Sequence, residues 1–315
     1  MSSIHPLLQV RALTRTFGRL RAVNQVSFEI SAGSCVGLIR ANGAGKTTLM
    51  RMLSTLDTPD GGCFYYKGIN ALEKPEEVRA HIGWMPDAMD MWPHTTVSDY
   101  LDFVAQVNGY TGENRKQAVS YWAKFSGIAP LLSRKIDKLS KGESQRLALA
   151  RMLIGDPEFL ILDEPAAGLD PQARHEFKSL VRQLQAQGRT LLISSHILSE
   201  LAEMCDSIIM MDAGKIIAAG NSAELLGQVQ ATQAPRYRFT PAGDSTALAA
   251  ALQTSPTWSD ISQTGKQVEA NYQGDTTALP QALAELMQAH SLLECHLLQL
   301  NWEEGFVALL SKKTR

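Results

Sequence analysis

Long apolar runs are missing from this 315-residue chain: none approaches the ~18 residues needed to cross a bilayer. The first residues, Met1-Ser2-Ser3-Ile4-His5-Pro6, lack the basic-then-apolar pattern of a secretory signal. The expectation is a soluble chain that meets a membrane only through a partner. Cysteine is scarce: Cys35, Cys63, Cys205 and Cys295 are scattered, with no C-x-x-C spacing. That excludes a stapled framework and suggests reduced, mostly buried thiols of a cytosolic chain. Cys295-His296 is half of a metal-ligand set without the other half. A dominant charge is missing too. With 30 basic and 32 acidic side chains the net charge is −2, which gives no broad field for nucleic acid, and no such partner is expected. No internal repeat or low-complexity tract stands out.

What is present is concentrated in one stretch, Arg40-Ala41-Asn42-Gly43-Ala44-Gly45-Lys46-Thr47-Thr48. It follows the apolar run Cys35-Val36-Gly37-Leu38-Ile39 and precedes a helix-forming segment, Leu49-Met50-Arg51-Met52-Leu53. Strand, small-residue loop, Lys-Thr, helix is the layout of a phosphate-binding loop. Loop N–H groups and the helix N-terminus converge where a polyphosphate can sit. Lys46 is suited to neutralise β- and γ-phosphates, and Thr47 offers Mg²⁺ a hydroxyl. One position departs from G-x-x-x-x-G-K-[ST]: Arg40 stands where the motif has Gly. An L-residue forced into left-handed geometry there would cost roughly 1–2 kcal/mol. The competing reading is a chance Gly-Lys-Thr turn.

Further along, residues 7–32 read as short strands around a turn at Thr16-Phe17-Gly18. Phe17 is either a core or lid aromatic or a face on which a nucleobase stacks. Asp60-Gly61-Gly62 reads as a turn before the strand Cys63-Phe64-Tyr65-Tyr66, and 74–80 as a short helix. Ile82-Gly83-Trp84-Met85 reads as a strand ended by Pro86, with Asp87 just beyond. Residues 95–127 carry helical periodicity, with Val97, Tyr100, Leu101, Val104 and Val107 on one face, then Ala118, Trp122 and Phe125 on a second. Leu139-Ser140-Lys141-Gly142-Glu143 leads into a helix over 144–154, and Ser140 with Glu143 fits a capping box.

Phe159-Leu160-Ile161-Leu162-Asp163-Glu164 describes a buried parallel strand ending in two carboxylates, at the edge where α/β sheets place ligands. Asp163 suits Mg²⁺ through its water shell, and Glu164 suits the polarising of an attacking water; both could instead be capping carboxylates. Ala167-Gly168-Leu169-Asp170-Pro171 turns into a helix. Thr190-Leu191-Leu192-Ile193-Ser194-Ser195-His196 is another buried strand, and His196 at its exit is either structural or a phosphate contact. Segments 207–211 and 215–219 flank Asp212-Ala213-Gly214 as a hairpin. Residues 228–235 form a polar linker. Beyond it, strands at 237–239, 267–272 and 292–300 alternate with helices at 245–252 and 278–289, closing on a helix near 302–310. This small α+β module has no evident catalytic cluster and is expected to bind a partner or a second copy of itself.

Together, the motifs at 40–48, 139–143, 159–164, 167–170 and His196 occur in the order seen in the nucleotide-binding subunit of ATP-binding-cassette (ABC) transporters, which residues 7–227 resemble. The tail more faintly resembles the C-terminal domain of single-cassette exporter ATPases. The resemblance implies an α/β, P-loop NTPase fold of the ABC type over 1–227, with a helical subdomain at about 90–155, the linker, and a C-terminal α+β accessory or dimerisation domain over 236–315. It implies ATP and Mg²⁺ as cofactors and ATP hydrolysis as the activity. Carried onto this chain, Phe17 stacks on adenine, and Asn42, Gly43, Ala44, Gly45, Lys46, Thr47 and Thr48 cradle the phosphates. Thr47 and Asp163 serve the metal, Glu164 is the general base, and His196 contacts the γ-phosphate. Ser140 and Gly142 reach across a head-to-tail dimer, and Asp170 lies in the loop joining the subunits. Asp87 replaces the family's usual Gln and takes a metal and water role.

The implied partners are an integral membrane permease on another chain and a second cassette, identical or paired. The implied location is cytoplasmic, peripheral on the inner face of the membrane. The cargo is set by the permease and is not legible here. Two other readings stay open: a regulatory or hydrolysis-impaired cassette, because of Arg40, and a soluble ABC ATPase of repair or translation. The last usually has two cassettes or a long coiled insert, and this sequence has neither.

Overall fold

The structure is a computed structural model that describes residues 6–40, 45–88, 92–221, 224–225, 234–275 and 277–298, with Arg40 by its backbone alone. Asn42, Gly43 and Ala44, most of the expected linker, and the helix expected near 302–310 lie outside the described residues. The chain divides into two compact units, Met1–Ser222 and Ala223–Arg315.

The first unit runs β1 (Leu8–Phe17), β2 (Leu20–Ile30), β3 (Cys35–Arg40), α1 (Lys46–Leu53), β4 (Gly61–Tyr66), β5 (Ile69–Asn70), α2 (Pro75–Arg79) and β6 (Ile82–Met85). Then come α3 (Val97–Val107), α4 (Gly112–Phe125), α5 (Lys141–Leu153), β7 (Phe159–Leu162), α6 (Pro171–Ala186), β8 (Thr190–Ser195), α7 (Leu198–Met204), β9 (Ser207–Asp212) and β10 (Lys215–Gly220). Six strands form a sheet in the order β10-β9-β3-β8-β7-β6, parallel except for β10. Every residue of β7 and β8 is buried, which is why β7 and the middle of β8, Leu191–Ile193, read as continuous apolar stretches and not as alternations. Parallel strands share a C-terminal edge. That edge therefore collects the exits of β3, β8, β7 and β6, and with them Lys46, His196, Asp163 with Glu164, and Asp87.

A second, antiparallel sheet has the order β2-β1-β4-β5. Its first two strands are longer than expected, at 10 and 11 residues, because register shifts between Val10 and Leu13 and again near Arg15 let a long strand bend. The turn between them falls at Gly18-Arg19, one step later than anticipated. Gly61 and Gly62 open β4 instead of forming a turn. Gly62 has φ +76°, and a Cβ there would sit 2.3 Å from the Ala12 carbonyl oxygen.

Of the stripe expected on α3, Val97, Tyr100 and Leu101 are buried but Val107 is exposed. Ten residues carry Val107 about 280° round the helix from Val97, off the packed face. The helix α5 starts three residues before its expected beginning, since the Ser140–Glu143 capping box ends the loop at Ser140. The short helix α7 had no distinct sequence signal. Of the cysteines, Cys35 and Cys205 are buried with their sulfurs 3.6 Å apart, while Cys63 and Cys295 are only half-buried.

The second unit runs β11 (Arg236–Pro241), α8 (Ser245–Thr254), β12 (Trp258–Thr264), β13 (Gln267–Tyr272), α9 (Leu279–His290) and β14 (Leu292–Leu298). Its antiparallel sheet, β12-β13-β11-β14, has split βαββαβ topology. Polar β12 was not foreseen. Tyr237, Phe239 and Tyr272 pack around the edge of Trp258 to make the core. Among the described residues, no helix is long and apolar enough to cross a membrane.

Gly62→Ala should lower stability by roughly 2–4 kcal/mol, combining left-handed strain with a clash that only backbone movement relieves. Urea unfolding measures it; a variant within about 0.5 kcal/mol of the parent would contradict this bulge geometry.

Candidate functional site

Gly45 sits at φ 142°, a value few L-residues adopt, and starts α1 by accepting a 2.8 Å hydrogen bond from the Leu49 N–H. The first turn of α1 carries no acid, so the partial positive charge of its N-terminus is not cancelled. Arg40 behaves differently from expectation. It is the last residue of β3, paired with Met211 of β9. Arg40 is not among the residues with positive φ, so the left-handed strain anticipated for an L-residue there does not arise.

Behind the loop, the carboxylate of Asp163 is almost fully buried and uses both oxygens. Oδ2 accepts from the Thr47 hydroxyl at 2.6 Å, and Oδ1 from the Ser194 hydroxyl at 2.6 Å. Ser194 also accepts the Glu164 N–H at 2.8 Å, and the Asp163 N–H bonds the Met85 carbonyl at 2.8 Å. Adjacent strands thus lock the two acids in place. Hydroxyl and carboxylate are hard oxygen donors, the set that Mg²⁺ prefers, and they meet beside the helix N-terminus where phosphates would supply further oxygens. The residues present fit the metal.

Glu164 is the hub. Its Oε1 accepts from Lys46 Nζ at 2.5 Å and its Oε2 lies 2.8 Å from His196 Nδ1. Lys46 also donates to the Ser195 carbonyl at 3.3 Å. Burial pushes the Glu164 carboxyl up, but the hydrogen bonds from Lys46 and His196 outweigh it and hold the group below the ordinary carboxylate range. The Glu164 backbone has φ +48°, an uncommon conformation for a non-glycine. Such strain persists only where the surroundings over-determine it, as the Ser194 hydroxyl does here.

Lys46, Thr47, Asp163, Glu164 and His196 are therefore in direct contact as a group. The other candidates stand apart from that contact set. Phe17 is 48% exposed under the Arg15 guanidinium, 5.1 Å from the ring centre, so it is no core residue. Asp87 is exposed, and its carboxylate makes no hydrogen bond or ion pair among the described residues. Thr48 is half-buried in the first turn of α1. Ser140 caps α5, accepting from the Glu143 N–H at 3.2 Å. Gly142 lets α5 approach α6, since a Cβ there would lie 3.0 Å from that of Ala173. Asp170 caps α6 through the Ala173 N–H at 2.9 Å.

Sequence reasoning missed Ser194, whose signal is a hydroxyl that stays fully buried at the end of a buried strand. It also missed a buried relay. Ser195 donates to Glu200 at 3.1 Å, Glu200 pairs with Arg174 at 3.0 Å, and Arg174 donates to the Leu169 carbonyl at 3.3 Å.

Because the folded-state pKa of Glu164 is depressed from its ordinary 4.5, its contribution to stability is present above that value and is lost as pH falls below it. Near neutrality the parent should exceed Glu164→Gln by about 1.5–3 kcal/mol, the range for hydrogen bonds to charged groups. The two should converge in acid. Urea midpoints measured from neutral to acid pH check this; a constant gap would contradict the pairing.

Comparison with known proteins bears on this geometry. Residues 23–167 match the family model described as ABC transporter. The chain is 34% identical over 221 residues to the Nod factor export ATP-binding protein I of Ralstonia nicotianae, covering 70% of this chain and 69% of that protein. It is 33% identical over 221 residues to the ABC transporter ATP-binding protein NatA of Bacillus subtilis, covering 70% of this chain and 89% of that one. Among solved structures, the ADP conformation of an ATP-binding cassette of an ABC transporter aligns with TM-score 0.64 at 25% identity, over 72% of this chain and 96% of that one. With the phosphate-loop lysine, paired acids and strand-end histidine already gathered at one sheet edge, the chain belongs to the ABC transporter family, as one of its ATP-binding, ATP-hydrolysing subunits.

Proposed function

We propose that this chain hydrolyses ATP to power export through a separate membrane permease, and that it does so as half of a two-cassette sandwich. The observation that carries the residue roles is the contact of Glu164 with both Lys46 and His196 beside the Thr47–Asp163 pair. Export is favoured by the relative whose name states it. In this reading residues 1–227 form the nucleotide-binding domain and 236–315 an accessory domain, and the chain lies in the cytoplasm against the inner face of the membrane.

The chemistry follows from the pairings. Lys46 holds Glu164 as a carboxylate. An arriving triphosphate offers Lys46 a denser anionic partner, and its shift frees a Glu164 oxygen to accept a proton from the attacking water. His196 uses Nδ1 on Glu164, which leaves Nε2 as the nitrogen for the γ-phosphate. Thr47 and Asp163 would hold Mg²⁺, which would neutralise phosphate charge there, and Asp87, beyond the exit of β6, would take a metal and water role. Phe17, exposed at the end of β1, offers a ring for adenine. Asn42, Gly43, Ala44, Gly45 and Thr48 complete the phosphate cradle. Ser140, Gly142 and Asp170 face the second cassette, closing on its nucleotide and opening after hydrolysis.

Steady-state ATPase assays test this. Glu164→Gln should lower kcat by roughly 10²–10⁴-fold, the span for general-base loss, while ATP binding persists. Arg40 favours a second reading, a hydrolysis-impaired cassette. If Arg40→Gly is faster by about a hundredfold, about 3 kcal/mol of barrier, that reading holds. Little change is expected, since Arg40 continues a strand.

Ser194 acts through Asp163 and Glu164 and is a positioning residue. Ser194→Val should lower kcat roughly 10–100-fold with KM for ATP unchanged, matching loss of a hydrogen bond to a charged group. Ser194→Thr, equal in volume to that variant but with the hydroxyl, should recover most activity. Equal activity of the two variants would sink this role.

A further inference from the structure

The side chain of His196 is 60% exposed, so packing does not hold its ring. Its Nδ1 meets Glu164, but the turn at the exit of β8 decides where the imidazole starts from. One hydroxyl closes that turn. Ser195 Oγ accepts from the Ile197 N–H at 3.0 Å, a side-chain turn that spans His196 from one side to the other. The same oxygen donates to Glu200 Oε2 at 3.1 Å. Ser195 and Glu200 are 5% and 6% exposed, so this bond is made away from bulk water.

A hydroxyl has one hydrogen and two lone pairs. While its hydrogen points at Glu200, a lone pair is left for the Ile197 N–H. The acceptor on Glu200 thus sets the direction of the bond that shapes the turn. Glu200 is held in turn by Arg174 Nε, 3.0 Å from Oε1. That contact is ionic, since among the described residues neither atom has an aligned hydrogen bond. The directional bond of the carboxylate is the one to Ser195. Glu200 has a local task as well: it sits in the first turn of α7, where an acid offsets helix-terminal charge. That task needs a negative charge near the helix start, not a bond to Ser195.

We infer that Glu200 is a positioning residue for His196: it fixes the Ser195 hydroxyl, and through it the turn that presents the imidazole. The inference rests on the proposed contact of His196 with the γ-phosphate. Ser195 serves both sides of the site. Its carbonyl accepts from Lys46 at 3.3 Å, while its hydroxyl braces the His196 turn. Lysine is met by main chain and the turn by side chain. Removing the hydroxyl should therefore disturb His196 and leave phosphate binding by Lys46 in place.

Steady-state ATPase assays on full-length chain with MgATP test this. Ser195→Ala should lower kcat roughly tenfold, with KM for ATP within about twofold of the parent. Ser195→Thr, which keeps the hydroxyl, should recover most of the loss. Glu200→Gln should match Ser195→Ala. Its amide must turn the oxygen to Arg174, so its NH₂ faces Ser195 and the hydroxyl can no longer donate there. Because both residues act through one bond, combining Ser195→Ala with Glu200→Gln should cost at most about twofold more than Ser195→Ala alone. A merely structural Glu200 gives losses that multiply, or a lower unfolding midpoint with parent kcat; either overturns the inference. Parent kcat in Ser195→Ala overturns it too, with Glu200 untouched, so a Glu200→Gln chain that fails to fold does not shield it. His196→Ala separates the two readings. Slow turnover there with parent kcat in Ser195→Ala sinks the role of Glu200 alone. Parent turnover in His196→Ala sinks the γ-phosphate contact and the role of Glu200 with it.

Discussion

The ion pair between Lys46 and Glu164 is the constraint from which the rest of the site follows. Both side chains are mostly removed from water, at 14% and 16% exposure, and neither charge could stay there alone without a heavy desolvation cost. Each is the other's reason for being charged. The pair exists because β3 and β7 both flank β8 in a parallel sheet, so their exits lie two strand spacings apart on the same edge. The intervening strand then supplies the fittings: Ser194 for Asp163 and the Glu164 backbone, the Ser195 carbonyl for Lys46, and His196 for the far oxygen of Glu164. A site of this kind is prepared to exchange partners. A polyphosphate needs only to compete for one lysine to alter what the carboxylate can do.

Much of this is legible in the order of the amino acids. Period and flanking chemistry identify the parallel strands, because apolar runs that end in Asp-Glu or His have few other homes than the ligand edge of an α/β sheet. The capping box at Ser140 and the cap at Asp170 are local signals and behave locally. What escapes such reading is set by tertiary pairing. The length of β1 and β2 depends on bulges that no period reveals, and β12 is polar because it lies at a sheet edge. Ser194 resembles part of a polar exit, although it is fully buried; its importance comes from lying opposite Asp163, a cross-strand fact. Arg40 looks costly in sequence only if the motif's first position belongs to the loop. The strand extends through it, and the demand for left-handed backbone falls instead on Gly45.

A buried polar chain extends the site beyond the phosphate loop. Starting at the Leu169 carbonyl, it passes through Arg174, Glu200 and Ser195, and Ser195 in turn bonds Lys46 through its carbonyl. Glu200 is buried and its charge is met by Arg174, so separating them would leave an unpaired charge in a dry place, a change worth about 3–5 kcal/mol when one partner is lost. That is more than a loop contact alone can pull apart. The 167–170 turn, the start of α6, the short helix α7 and the exit of β8 are consequently held as one piece. A bonded path thus runs from the turn to Ser195, the residue before His196. In the proposed two-cassette arrangement, this bonded path would connect the neighbouring subunit to the strand on which Lys46 and Glu164 are anchored.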